Sequence, residues 1–205
     1  MDGMSAHRFE LTGGALCLDF ANTVGDRPHR TEEHLHGYAD LLEWSRQASA
    51  LDARELRSLS AEARRRPREA RAAFLRALEL RETLYRVFRA AATGGVVSKA
   101  DLAAVNKQLG EAGGRRELQR HEGGFRWRFG GAPRALDRML WPVVRSAGEL
   151  LATPERERVR ECDSDRCSWL FIDRSRARTR RWCDMKSCGN RAKARRHYQR
   201  VRERR

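Results

Sequence analysis

Four cysteines crowd into 27 residues of this 205-residue chain: Cys162-x4-Cys167, a spacer of fifteen residues, then Cys183-x4-Cys188. Two closely spaced pairs of thiolates are soft ligands suited to tetrahedral zinc, and each pair bends the chain into a knuckle whose sulfurs converge. The spacer is long enough to form a hairpin that brings the second knuckle back to the first. No open coordination position is evident, so the pattern predicts one structural, non-catalytic zinc ion per chain. Two disulfides are the competing arrangement, which a reducing cytosol disfavours. Cys17 stands apart in an apolar segment and reads as a small buried hydrophobe.

Around the cysteines lie the residues that must build and use the module. Trp169-Leu170-Phe171-Ile172 is an apolar, strand-like run, Asp173-Arg174-Ser175-Arg176 is a polar turn, and Trp182 precedes the second pair. These aromatics replace the core that about 50 residues cannot otherwise supply. After Cys188, Gly189-Asn190 turns the chain into a basic helix, giving the treble-clef-like order of knuckle, hairpin, knuckle and helix. From Arg191 to Arg205 there are eight Lys and Arg residues. At 100° per residue Lys193, Arg196, Arg200 and Arg204 fall within about 80° of one another, while Ala194, Tyr198 and Val201 form a separate stripe expected to dock on the zinc core. Arginine forks bind phosphates and the guanine edge, and a helix fits the major groove. The candidate DNA contacts are Asn190, Arg191, Lys193, Arg195, Arg196, Arg200 and Arg204 on the helix, with Arg174, Arg176 and Arg178 from the spacer.

The charge of the whole chain agrees. Lys and Arg number 43 against 28 Asp and Glu, a formal +15, and the segment from Pro154 onward holds 18 of those cations against 8 acids. Four thiolates on zinc lower the total to about +13, so an anionic partner is still implied. Hydrophobic residues at 40% are enough for a folded chain. No run of about 18 apolar residues occurs, and Met1 to Glu10 lacks a secretion signal, which predicts a cytoplasmic protein with no membrane partner.

The elements ahead of the cysteines read mainly as helix, with one β-hairpin. His34 to Ala50 is one helix, Asp52 caps a second, Pro67 breaks the pattern, and Arg68 to Ala92 forms a third that ends at Gly94-Gly95. Ser98 caps a fourth. Between Glu117 and Phe129 the period changes to two, with Glu122-Gly123-Gly124 as the turn. A last helix spans Pro133 to Ala152 with a kink expected at Pro142. Thr153-Pro154 marks the boundary between a helical domain, 1–153, and the cysteine-rich domain, 154–205. Each is expected to fold alone, so that chelation should unfold only the second.

Two motifs resemble a known pairing. Cys-Gly-Asn-Arg at Cys188 to Arg191, with Asp173-Arg174-Ser175-Arg176, Arg181-Trp182-Cys183 and the following Ala-Lys-Ala-Arg-Arg, is similar to the CGNR zinc finger over nearly all of 155–200. Gly13-Gly14-Ala15-Leu16-Cys17-Leu18-Asp19-Phe20-Ala21-Asn22-Thr23 resembles the opening of the ABATE domain that accompanies this finger. Proteins of that pairing are described as stress-related transcription regulators of bacteria, so the resemblance implies DNA binding.

Other functions remain open at the level of sequence. RNA is an alternative polyanion, although no exposed aromatic stacking platform is obvious. A solvated basic tail that offsets the thiolate charge is the bland reading of the last helix. A metal-dependent enzyme is the remaining class: His7, His29, His34 and His36 lie near Asp19, but His34-x-His36 lacks the i, i+4 spacing of a helical ligand pair. Asp19 and Asn22 are candidates to line a small-molecule pocket, which would make the first domain a sensor or a homodimerisation unit.

Overall fold

The computed structural model describes residues 8–29, 31–130 and 134–203. The chain is mainly helical, with three separate two-stranded antiparallel sheets. A short helix α1 (Leu16–Ala21) is followed by β1 (Val24–Gly25) and its partner β2 (Glu32–Glu33). Then come α2 (Tyr38–Gln47), α3 (Ala53–Arg65), α4 (Pro67–Thr93) and α5 (Lys99–Gly113). A hairpin of β3 (Arg116–His121) and β4 (Gly124–Phe129) precedes α6 (Leu140–Leu151). A 3-10 turn over Pro154–Arg158 leads into β5 (Val159–Glu161), which pairs with β6 (Leu170–Ile172) before α7 (Asn190–Glu203) closes the chain.

Local chemistry sets most boundaries. Asp52 Oδ1 accepts from the Glu55 amide at 2.8 Å and Glu55 Oε2 accepts from the Asp52 amide at 2.9 Å, a reciprocal cap that starts α3. Pro67 opens α4, where its missing N–H is not needed, and Gly94 ends it at φ +70°. The Ser98 hydroxyl accepts from the Asp101 amide and starts α5. The buried stripe of α4, from Ala70 through Ala77 and Leu84 to Phe88, is the wall on which α1, α2, α5 and the C-terminal strands pack.

Three expectations change. The helix expected from His34 starts at Tyr38, because Glu33 Oε1 accepts from the amides of His34 and Leu35 while Arg81 clamps the same carboxylate at 2.6 and 2.7 Å, holding residues 34–36 outside the helix. Pro142 makes no kink. The helix begins only at Leu140, so Pro142 lies in the first turn, where no intrahelical donor is lost; Pro133, the expected start, lies outside the described residues. The strand 170–172 pairs with 159–161, ahead of the first cysteine, and not within the spacer.

The core runs through both halves of the chain. Val159, Leu170 and Ile172 belong to the same buried cluster as Leu18, Phe20, Trp44, Leu84 and Val144. A change in composition at Pro154 therefore does not coincide with a break in packing.

Candidate metal centre and basic helix

β5 and β6 form a short ladder, and the Cys162 amide extends it by donating to the Trp169 carbonyl at 2.8 Å. The knuckle between them turns on the Cys167 amide, which donates to the Ser164 carbonyl at 3.0 Å. Asp173, fully buried, closes the return loop: its Oδ1 accepts from the Ser175 amide at 2.9 Å and its Oδ2 from the Arg180 amide at 3.0 Å. Burial pushes the Asp173 carboxyl up, but these hydrogen bonds, with the nearby Arg160 charge, leave it below its ordinary value. Arg180 lies over the Phe171 ring at 4.5 Å and donates to the carbonyls of Trp182 and Cys183, pinning the second pair against the first hairpin. The Asp163 amide donates to the Arg181 carbonyl and the two side chains form an ion pair.

The four sulfurs meet as the spacing predicts. All lie within 4.8 Å of one another, with Cys167 to Cys183 at 3.8 Å and Cys183 to Cys188 at 3.7 Å. A tetrahedron of sulfurs about 2.3 Å from zinc has edges of about 3.8 Å, so the donor set fits one zinc ion. A zinc ion held by these four sulfurs would cross-link the two loops. All four cysteines are buried, and the surrounding cluster consists of Phe171, Trp169 and Trp182. Amides support the sulfurs: Cys183 donates to Cys162 Sγ at 3.4 Å and Trp169 to Cys167 Sγ at 3.5 Å. The Arg191 guanidinium, 3.0 Å from the Cys188 sulfur, favours the thiolate of that ligand. The thiolate is the form that ligates metal.

The Cys-Gly-Asn-Arg motif has a role for each residue. Cys188 is the ligand. A Cβ on Gly189 would lie 2.8 Å from Met185 Sδ, so no larger residue fits without moving that side chain. The Gly189 amide reaches back to the Asp184 carbonyl in a wide i→i+5 turn over Met185–Gly189, and Asp184 caps that turn through the Ser187 amide. Asn190 donates from its side chain to the Lys186 carbonyl at 3.0 Å, and Arg191 faces the sulfur of Cys188.

The remaining cations divide into bound and free. Arg174 pairs with Glu155 and donates to the Gly14 carbonyl, so it ties the finger to the N-terminal region. Arg195 pairs with Asp165. Arg176 and Arg178 are exposed in the return loop, and Lys193, Arg196 and Arg200 are exposed on α7. Among the described residues none of these five has a carboxylate partner, although Arg196 lies 6.0 Å from the Trp182 ring centroid. Arg204 and His7 lie outside the described residues. The apolar stripe of α7 does not dock: Tyr198 is 68% and Val201 39% exposed, since Ala192 alone of residues 190–202 is partly covered and the helix meets the zinc module beyond it through the long side chains of Arg195 and Arg196.

Asp19 and Asn22 come together in α1 and at its end. The Asn22 amide makes a two-way clamp on Leu170, donating to its carbonyl and accepting from its N–H, both at 2.8 Å. Trp169 Nε1 donates to the Val24 carbonyl, and the Ile172 amide to the Gly13 carbonyl. Asp19 Oδ1 accepts from the Gly13 amide at 2.8 Å, and burial pushes its carboxyl up to about 6. The Gly13 to Thr23 motif is thus the seat on which the first knuckle rests, a role with no signature in local spacing. Both residues line a cavity of about 90 Å³ with Arg8, Phe9, Glu10 and His34. Cys17 is fully buried, and burial raises its thiol to about 12, as suits a packing residue. Among the described residues, the four cysteines are the only group of three or more His, Cys, Asp or Glu placed to share an ion.

A helical domain with a structural zinc finger seated in its core, ending in an exposed arginine-rich helix, is the class that this geometry defines. The family model ABATE, described as a putative stress-induced transcription regulator, matches residues 14–154, and the CGNR zinc finger matches residues 158–201. The chain belongs to the ABATE family and carries a C-terminal CGNR zinc finger. These are regulator and zinc-finger families, not enzyme families. None of the curated proteins matches the chain. Among the described residues no helix is long and apolar enough to cross a membrane.

Proposed function

We propose that this chain is a bacterial, cytoplasmic transcription regulator that binds double-stranded DNA through α7, with no catalytic role. One observation carries the reading: Lys193, Arg196 and Arg200 stand exposed, with no carboxylate partner among the described residues, on a helix whose first turn is fixed by Cys188, Asn190 and Arg191. A charge-compensating tail would need cations only beside the sulfurs, where Arg191 already serves. Arg176 and Arg178 add phosphate contacts. Arg174, Asn190 and Arg195 act first as structural residues in this scheme.

If about six phosphates are neutralised, log affinity falls against log salt with a slope of about −5. Fluorescence anisotropy of a labelled duplex at several salt concentrations measures this, and replacing Arg196 and Arg200 by Ala should flatten the slope by about two. An unchanged slope in the double variant would remove α7 from the interface. RNA binding is the second reading, and duplex RNA belongs in the same titration.

For the first 153 residues we retain sensing and homodimerisation. The cavity at Asp19 and Asn22, about 90 Å³, falls below the several hundred Å³ of an ordinary ligand site. It shares Glu10, His34 and Trp169 with a cleft of about 450 Å³ that reaches Lys186 and Arg191 in the finger. An effector in the larger cleft would touch both halves of the chain, with Asp19 nearby and Asn22 already engaged by Leu170.

A further inference from the structure

We propose that the β3–β4 hairpin is a second DNA-binding element, a ribbon that enters a groove of duplex DNA. The inference deepens the DNA reading above and rests on it.

From Glu117 to Trp127 every residue of the hairpin is exposed, so neither face packs on the body of the protein. The register sets Leu118 opposite Trp127 and Arg120 opposite Phe125, which places all four on one face with Arg116. Leu118 is 58%, Phe125 72% and Trp127 55% exposed. Arg116 lies over the Trp127 ring at 4.3 Å. The other face carries Glu117, Gln119, Arg126 and Arg128. A lone two-stranded ribbon is at best marginal in water, and clustered exposed apolar side chains mark a contact surface.

The base of the ribbon is held firmly while its tip is bare. Arg128 pairs with Asp52 at 3.0 Å, Arg115 lies over Trp141 at 4.8 Å, and Phe129 meets the same ring at 5.8 Å. The Gly130 amide donates to the Arg115 carbonyl at 2.6 Å. Toward the tip, Arg120 and Arg126 are exposed and have no carboxylate partner among the described residues.

Charge decides the occupant. Residues 115–129 hold five arginines against two glutamates. A second copy of the chain packed two-fold across the aromatic face would bring Arg116 and Arg120 of both copies into one contact whose strand positions supply no carboxylate, which opposes association. Duplex DNA meets both features at once. Its phosphates take the arginines, and a two-stranded ribbon fits a major groove about 12 Å wide, where Phe125 and Trp127 would meet thymine methyls. The sequence alone showed no aromatic platform because Phe125 and Trp127 alternate as core residues of a sheet do; only the absence of a covering layer reveals them.

The test uses the zinc-loaded full chain with a labelled duplex of about 30 base pairs and mixed sequence, followed by anisotropy at several salt concentrations, with the α7 variant R196A/R200A in parallel. Replacing Phe125 and Trp127 by Ala should weaken duplex binding at least about tenfold at physiological salt and leave the salt slope unchanged, since no charge is lost. Replacing Arg120 and Arg126 by Ala should flatten the slope by about two. Thermal melting should be unaltered in both, because the residues are exposed. Wild-type affinity and slope in both hairpin variants would overturn the proposal while leaving α7 untouched. Loss in the hairpin variants with none in R196A/R200A would support the ribbon and remove the helix. A wild-type chain that binds no duplex would end both. A wild-type dimer that F125A/W127A converts to monomer in sedimentation, with DNA affinity intact, would assign the surface to a second copy and overturn the proposal.

Discussion

Asp19 is a carboxylate placed at the seat of the zinc knuckle, and its environment makes stability depend on pH. Burial raises its carboxyl from 3.8 to about 6, only partly offset by the hydrogen bond from Gly13. The native state therefore holds a proton more tightly than the unfolded chain, so this group's contribution is full below about pH 4 and is lost as pH rises through 6, at a cost of up to about 3 kcal/mol. Asp19→Asn keeps an oxygen for the Gly13 amide and removes the titration. With zinc in excess, the variant should melt several degrees above wild type at pH 8 and by a smaller margin at pH 5; a difference that does not change with pH would contradict this. At this scale the four ligands were readable because metal ligation is a property of residue type and short spacing. Asn22 was not, because its partner Leu170 lies 148 residues away. Arg180, the staple, was hidden among many arginines of identical type, and Arg191, marked by its motif as a DNA contact, turns its guanidinium to the Cys188 sulfur.

The elements show which signals are local and which come from packing. Asp52, Pro67, Gly94 and Ser98 act through backbone groups within a few residues, and the boundaries drawn from them hold. The start of α2 depended on Arg81, and the place of Pro142 in the first turn of α6 on where that helix begins, neither visible in periodicity. The short helix α1 was missed because six residues, five of them apolar, are too few to show a period. Its junction with β6 is the test of the shared core. Asn22→Ala leaves the Leu170 N–H and carbonyl buried without partners, a loss of about 2 to 5 kcal/mol. Thermal melting should drop steeply for Asn22→Ala and little for Asn190→Ala, whose side chain is exposed; equal, small shifts would show that the clamp contributes nothing.

Across the whole molecule, charge and packing divide the chain differently. The last 52 residues carry most of the excess charge, and the sequence boundary follows that change. Yet Val159, Leu170 and Ile172 sit in the common core, and Tyr85 and Arg89 on α4 both reach Glu161. Zinc loss would reach the helical part through those strands, so a clean release of the finger by chelation, the outcome expected from composition, does not follow from this packing. Within the finger, the segment outside that packing is α7, whose cations, Tyr198 and Val201 are exposed.

The most direct measurement of the central claim, that zinc orients α7 on duplex DNA, compares a duplex selected from a random pool with random duplex and duplex RNA at physiological salt. Zinc-loaded wild type should prefer the selected duplex by at least about a thousandfold, and both chelation and R196A/R200A should abolish the preference. Equal affinity for every polyanion, unchanged by chelation and by the double substitution, would contradict it and leave α7 as a solvated basic tail.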